Sequence, residues 1–344
     1  MSEIRQNLLT GEWVIIAPER AKRPVNLARS ADKPVIPQSS PTCPFCPGNE
    51  HMTTDERFRI SDKENNWLVR SVVNRFSVLS VAESTDHEVT ANMIPWKDAN
   101  IGKQLPIPGI GLHEVIIEHP RHDLTPAQYT LSQIENLIGA YMHRFVEFAA
   151  DPRIKHVVVF KNHGEEAGAS QQHPHSQIVG LPIIPGQVFE RIGRALRFHR
   201  DTGACLGCRI IEEECHENSR VIDENEAFIA FIPFAALSPF HLWIFPKKHN
   251  ACFSQTLPEE RHLLAGILHR VLCRIFIALD NPAYNLVVRS LIPSEGKSPF
   301  VHWYISIVPR VGKLAGFELG TGMFVNSSSP EVSADRLRQV DMNL

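Results

Sequence analysis

The feature that most constrains this 344-residue chain is one ordered set of landmarks that occurs twice. The first set is a Cys-x-x-Cys pair (Cys43, Cys46), a strand-like run over 114–118, His122, a long helical segment, a strand over 157–160 and the run His173-Pro174-His175. The second is Cys205/Cys208, a strand over 241–245, His249, a helical segment over 258–279, a strand over 285–288 and His302. His122 and His175 are 53 residues apart, and so are His249 and His302; a proline follows seven positions on in each copy, Pro182 and Pro309. Unrelated landmarks repeated in order and at equal spacing mark an internal duplication. The expected units are residues 1–195 and 196–344.

Alternating strands and capped helices, without even β-α-β spacing or the glycine fingerprint of a dinucleotide fold, predict an α+β architecture of mainly antiparallel sheet packed with helices. The helix of the first unit reads from Thr125 as N-cap, with Pro126 at its first position, Gln128 completing a capping box, and Leu131, Ile134, Leu137, Ile138, Tyr141, Phe145 and Phe148 as its core stripe. The stretches 31–41 and 327–330 read as connections. A composition 43% apolar supports a sizeable core, and a formal charge of −3 with the signs mixed argues against nucleic acid as a partner. No basic and apolar leader opens the sequence, and no apolar run nears the roughly 20 residues that span a bilayer. The expected setting is therefore cytoplasmic, with no membrane partner.

Seven cysteines are an odd number for a disulfide framework, and four of them sit in the two Cys-x-x-Cys pairs. Such a pair lets two thiolates grip one ion from a tight turn, which Pro44, Pro47 and Gly48 supply in the first copy. Two more ligands close a tetrahedral shell, and His122 and His173 stand at the duplicated strand ends. In the second copy Cys205, Cys208 and His249 would take His302 as the fourth ligand, against the rival reading of buried thiols with unrelated histidines. The expected cofactor is zinc, at two sites.

On a strand, alternate side chains share a face at spacings of ~6.6–6.8 Å, which puts His173, His175 and Gln177 on one side. The loop before them, 161–170, offers backbone N–H groups, Asn162, Gly168 and the Ser170 hydroxyl, a set suited to phosphate. A neutral imidazole attacks phosphorus without a separate base, and Gln177 can donate to a phosphoryl oxygen as charge develops. His175 is the expected nucleophile. By spacing its counterpart is His302, but the position two before His302 is Phe300, so the second copy cannot hold both a ligand and a nucleophile.

The run from Asn162 to Gln177, above all His173-Pro174-His175-x-Gln177, resembles the active-site segment of the galactose-1-phosphate uridylyltransferases, a branch of the histidine-triad superfamily. Glu12 to Ile15 and Arg20 to Pro24 are similar to that family's N-terminal strand and phosphate-facing arginines. The resemblance implies a tandem duplication of histidine-triad-like units, a homodimer, His175 as the residue that becomes nucleotidylated, and Gln177 as its phosphoryl partner. It also implies the first zinc quartet named above, Arg20, Arg23, Asn162 and Ser170 facing the phosphates of a nucleotide sugar, and Asn74 facing the base. Ping-pong transfer from UDP-glucose to hexose 1-phosphate follows. Arg75 stands where bacterial members carry an acid, and the stretch with Glu318, placed by the resemblance at the hexose, lacks the family's later glutamine. The first leaves the base open; the glycine-rich form of the second stretch, and the Cys-His cluster of the second half, resemble the plant-type ADP-sugar phosphorylases, in which phosphate is the acceptor. A zinc-dependent nucleotide-binding module without turnover is the reading from another class.

Overall fold

The computed structural model describes residues 2–22, 36–80 and 108–342. The first part of the chain forms β1 (Glu3–Gln6), β2 (Trp13–Ile16), β3 (Glu56–Ser61), β4 (Trp67–Val73), β5 (Leu112–Ile117), α1 (Leu131–Ala150), β6 (His156–His163) and β7 (His175–Leu181). Then come α2 (Gly186–Thr202), α3 (Leu206–Glu217), β8 (Val221–Glu224), β9 (Phe228–Phe231), β10 (Leu242–Pro246), α4 (Pro258–Ala278), β11 (Tyr284–Arg289), β12 (Tyr304–Pro309), α5 (Gly316–Thr321), β13 (Phe324–Asn326) and α6 (Pro330–Arg338).

Ten strands make one antiparallel sheet in the order β3-β4-β5-β7-β6-β11-β12-β10-β9-β8. Outward from the β6/β11 joint the two sides repeat one topology, so the duplication read from the landmarks is a fact of the fold. At the joint Phe160 lies opposite Val287, and these two are separated by the same number of positions as His122 and His249. A pseudo-twofold axis therefore passes between the two central strands. A smaller sheet, β1-β2-β13, ties the start of the chain to its end, and Arg5 reinforces it with a 2.8 Å ion pair to Glu331.

The strands alternate as a half-covered sheet must. In β11 Tyr284, Leu286 and Val288 are buried on the face that carries α1 and α4, while Asn285, Val287 and Arg289 face the other side. The apolar stripe of α1 packs in that core with Leu264, Leu268, Val271 and Ile275 of α4, which begins as expected at Pro258. Burying such stripes between helix and sheet is the main source of stability in a layer architecture.

Two local expectations change. The capping box at Thr125 and Gln128 is present but closes only a single 3-10 turn over Pro126–Gln128. Tyr129 then takes an extended backbone, which sets its ring on His119 at 4.9 Å, and α1 starts at Leu131 with Thr130 as its N-cap. The segment 327–330 is a helix start and not a loose connection, because the Ser329 side chain accepts the Val332 N–H at 3.2 Å. No helix among the described residues is long and apolar enough to cross a membrane.

A buried ion pair helps fix α1 to the sheet. Buried Arg144 donates to the Glu114 carboxylate on β5 at 2.7 and 2.9 Å, and Glu114 also accepts from Ser71 of β4. Breaking a buried pair from one side leaves a lone charge, at a cost of about 3–5 kcal/mol. Arg144→Met is expected to lower the unfolding free energy by about that amount in urea titration; a loss well below 1 kcal/mol would show that Glu114 finds water or another partner.

Candidate active site and metal centres

The first Cys-x-x-Cys pair lies in a tight turn that Asn49 stitches together, donating to the Cys43 carbonyl at 2.8 Å and to the Ser40 and Pro41 carbonyls at 3.2 Å. Cys46 Sγ lies 3.5 Å from His122 Nδ1 and 3.6 Å from His173 Nδ1. In the second copy Cys208 Sγ is 3.4 Å from His249 Nδ1 and 3.6 Å from His302 Nδ1. Bond lengths of ~2.3 Å to sulfur and ~2.0 Å to nitrogen give a tetrahedral edge of about 3.5 Å, so both quartets have the span of one tetrahedral ion. All four donor atoms of each lie within 4.8 Å of one another.

The tautomers agree. His173 Nε2 donates to the His119 carbonyl at 2.8 Å, His302 Nε2 to Pro246 and His249 Nε2 to Ser298, both at 3.0 Å, which leaves each Nδ1 lone pair turned to the thiols. Such outer hydrogen bonds orient metal-binding histidines. Burial lowers the His173 pKa to about 4 and pushes the Cys43 thiol up to about 11. A cation between them would stabilise the neutral imidazole and the thiolate together.

The two quartets also correct the alignment of the copies. Phe160 pairs with Gln177 and its counterpart Val287 with Ser306, so β7 and β12 superpose with Gln177 on Ser306, His175 on Tyr304 and His173 on His302. The equal 53-residue spacing matched the wrong histidine, because the chain from β11 to His302 is two residues longer than that from β6 to His173. Where the first copy has the nucleophile candidate, the second has buried Tyr304, stacked on Phe245 at 4.8 Å and beside Trp243 at 5.1 Å. Leu206, Ile210 and Ile211 of α3 complete that apolar cluster.

In the first copy the equivalent space is an open cleft of about 560 Å³ lined by Phe45, Asn74, His113, Ser170, His175 and Gln177, among others. His175 opens β7. Its Nδ1 donates to the His173 carbonyl at 2.9 Å, so Nε2 carries the free lone pair. Burial, then the nearby Lys161 ammonium, lower its pKa, which keeps the ring neutral. The strand is held from behind by a buried polar nest. Lys161 (2% exposed) pairs with Glu118 (0% exposed) at 2.9 Å and donates to the His175 carbonyl at 3.2 Å, while Ser176, Tyr129 and Tyr141 donate to Glu118. Burial alone would raise the Glu118 carboxyl, but Lys161 and Ser176 hold it below its ordinary value.

The remaining site expectations divide. Asn162 lies on β6 and accepts from Asn285 of the second copy at 2.8 Å, and Asn285 also donates to the Ala167 carbonyl at 2.9 Å, pinning the loop that ends at Ser170. Gly164 and Gly168 give that loop its turns, with φ of 80° and 89°; a Cβ on Gly164 would also lie 2.8 Å from Ala283. Lys161 belongs to the nest and not to the phosphate loop. Arg20 is exposed on the 3-10 turn Pro18–Lys22 and is not among the residues lining the cleft, and Arg23 lies outside the described residues. Glu318 caps its own helix, accepting the Ala315 N–H at 2.9 Å, and does not line the cleft. His113 and Gln171, both at the cleft, were missed; the alternation of β5 puts His113 on the same face as Val115, a signal hidden inside an apolar run.

Residues 1–185 match the sequence model described as galactose-1-phosphate uridyl transferase, N-terminal domain. The ADP-glucose phosphorylase of Arabidopsis thaliana is 34% identical over 99% of this chain and 93% of its own length. The galactose-1-phosphate uridylyltransferase of Thermotoga maritima is 27% identical over the whole of both chains. A crystal structure of an Arabidopsis thaliana ADP-glucose phosphorylase with bound ADP-glucose covers 100% of both chains, with a TM-score of 0.84 and 32% identity. The fold and these matches define the class as a nucleotidyltransferase. The chain belongs to the galactose-1-phosphate uridylyltransferase family.

Elemental analysis of the purified protein is expected to find two metal ions per chain, and one in each of Cys43→Ser and Cys208→Ser. Retention of both ions by either variant would remove that quartet as a metal site.

Proposed function

We propose that this protein splits a nucleotide sugar through a nucleotidyl-histidine intermediate on His175. The observation that carries the reading is the fixed tautomer of His175, with Nδ1–H bound to the His173 carbonyl and Nε2 free at the cleft. Nε2 attacks the α-phosphorus, the bond from that phosphorus to the bridging oxygen breaks, and the sugar 1-phosphate departs with the electron pair. Gln177 donates to the phosphoryl oxygens, with Asn162, Gly168 and Ser170 along the phosphate chain and Asn74 toward the base. An acceptor phosphate oxygen then attacks the same phosphorus and releases Nε2. Arg20, Arg23 and Glu318 are assigned to substrate on the family resemblance.

The donor we favour is ADP-glucose with inorganic phosphate as acceptor, giving ADP and glucose 1-phosphate. Supporting it is the 34% identity to the Arabidopsis thaliana phosphorylase along nearly the whole chain. UDP-glucose with a hexose 1-phosphate acceptor is the second reading, favoured by the family match over 1–185 and by the Thermotoga maritima relative. We assign zinc to both quartets; the first, with His173 as ligand, would hold the strand start that presents His175, and the chain's own residues carry the chemistry. Residues 1–195 form the catalytic half and 196–344 its structural copy, in a homodimer.

Intact-protein mass spectrometry after separate incubation with ADP-glucose and UDP-glucose tests the reading. An adenylyl mass on His175, absent in His175→Ala and discharged by phosphate, is expected. A uridylyl mass discharged by hexose 1-phosphate would establish the second reading, and no adduct with either donor would end both.

A further inference from the structure

The cleft holds a buried histidine that the reaction as written does not use. His113 projects from β5 between two elements of the site. Its Nδ1 accepts the Val78 backbone N–H at 3.2 Å. An imidazole nitrogen that accepts carries no proton, so in the neutral ring the proton is on Nε2. Burial lowers the His113 pKa and keeps the ring neutral. Nε2 lies 2.8 Å from Gln177 Oε1 and must donate to it.

Asn74 acts on the same oxygen. Its Oδ1 accepts the Phe76 N–H at 2.9 Å, which fixes the amide, and its Nδ2 reaches Gln177 Oε1 at 3.4 Å. At 3.0 Å from each other, the His113 and Asn74 nitrogens are two donors converging on one acceptor. The two ends of a carboxamide are nearly the same shape and opposite in polarity. With Oε1 occupied by two donors, the Gln177 amide has one orientation, in which its NH₂ group is left for the cleft. Turned over, it would present lone pairs to an anionic phosphoryl group.

We propose that His113 is a positioning residue that sets the polarity of the Gln177 amide, so that the phosphoryl group on its way to His175 meets N–H donors and not a carbonyl oxygen. The inference rests on the nucleotidyl-transfer reading above. It also joins the wall beside the cleft to the chemistry, because the backbone that carries Phe76 (84% exposed) and Val78 sets the His113 tautomer.

A double-mutant cycle on the first-order rate of adduct formation tests it, with the donor that labels the wild-type protein. Losing one preorganised donor to a developing oxyanion typically costs about 10²–10³-fold, so His113→Phe is expected to slow labelling by up to about that factor while donor affinity changes little. In a Gln177→Ala background the same substitution is expected to change the rate by less than about twofold, since no amide remains to orient. His113→Gln, which can still donate from a side-chain N–H, is expected to recover most of the rate. Far-UV circular dichroism and metal content of each variant separate misfolding from mispositioning. If His113→Phe labels at the wild-type rate, or slows labelling equally with and without Gln177, the inference is wrong. Absence of label on the wild-type protein would overturn the transfer reading instead.

Discussion

The backbone pairing of β6 with β11 is the constraint on which the rest of this structure depends. It turns two five-stranded units into one ten-stranded sheet, and it places Asn285 of one unit against Asn162 and the glycine turn of the other. A loop built around two left-handed glycines has little to hold it by itself. Here it is clamped from across the joint, and Arg310 in turn donates to Asn285. The geometry of the cleft is thus set partly by residues from the unit that has Tyr304 in place of His175.

Behind the cleft, the division of labour follows burial. Glu118 and Lys161 sit on the helix side of the sheet, where an unpaired charge would be untenable, and they neutralise each other while gripping the strand that presents His175. On the open side stand imidazoles and amides with fixed orientations, with Arg75 at the edge of the same cleft. An anionic substrate meets donors already aimed, which is the arrangement that stabilises developing phosphoryl charge without reorganisation. In the second copy the sheet register matches Glu118 with Pro246 and Lys161 with Val288, so the buried pair is missing from the unit that has Tyr304 in place of His175.

Much of this was legible in the sequence because it depends on residue type and order. Both Cys-His quartets, the duplication, the two long helices and the His175 strand follow from landmarks whose chemistry is distinctive. What was not legible depends on register and on backbone choice. A two-residue difference in one connection was enough to match His302 with His175 when the sheet matches it with His173. The capping box at Thr125 is real, yet the preference of Tyr129 for an extended backbone and a buried ring moved the helix start to Leu131. His113 was invisible because its role lies in hydrogen bonds to Val78 and Gln177, residues distant in sequence that no spacing rule connects.

The aromatic filling of the second cleft has a consequence for stoichiometry. Tyr304, Trp243 and Phe245 pack as rings on the face whose counterpart in the first copy is the open cleft, so they act as an internal ligand made of the chain's own side chains. Closing that face with rings converts an open surface into core. On the reading proposed above, duplication multiplies scaffold and not catalytic capacity: one half keeps an open cleft at His175, and the rotated copy of that face is filled by the chain's own rings.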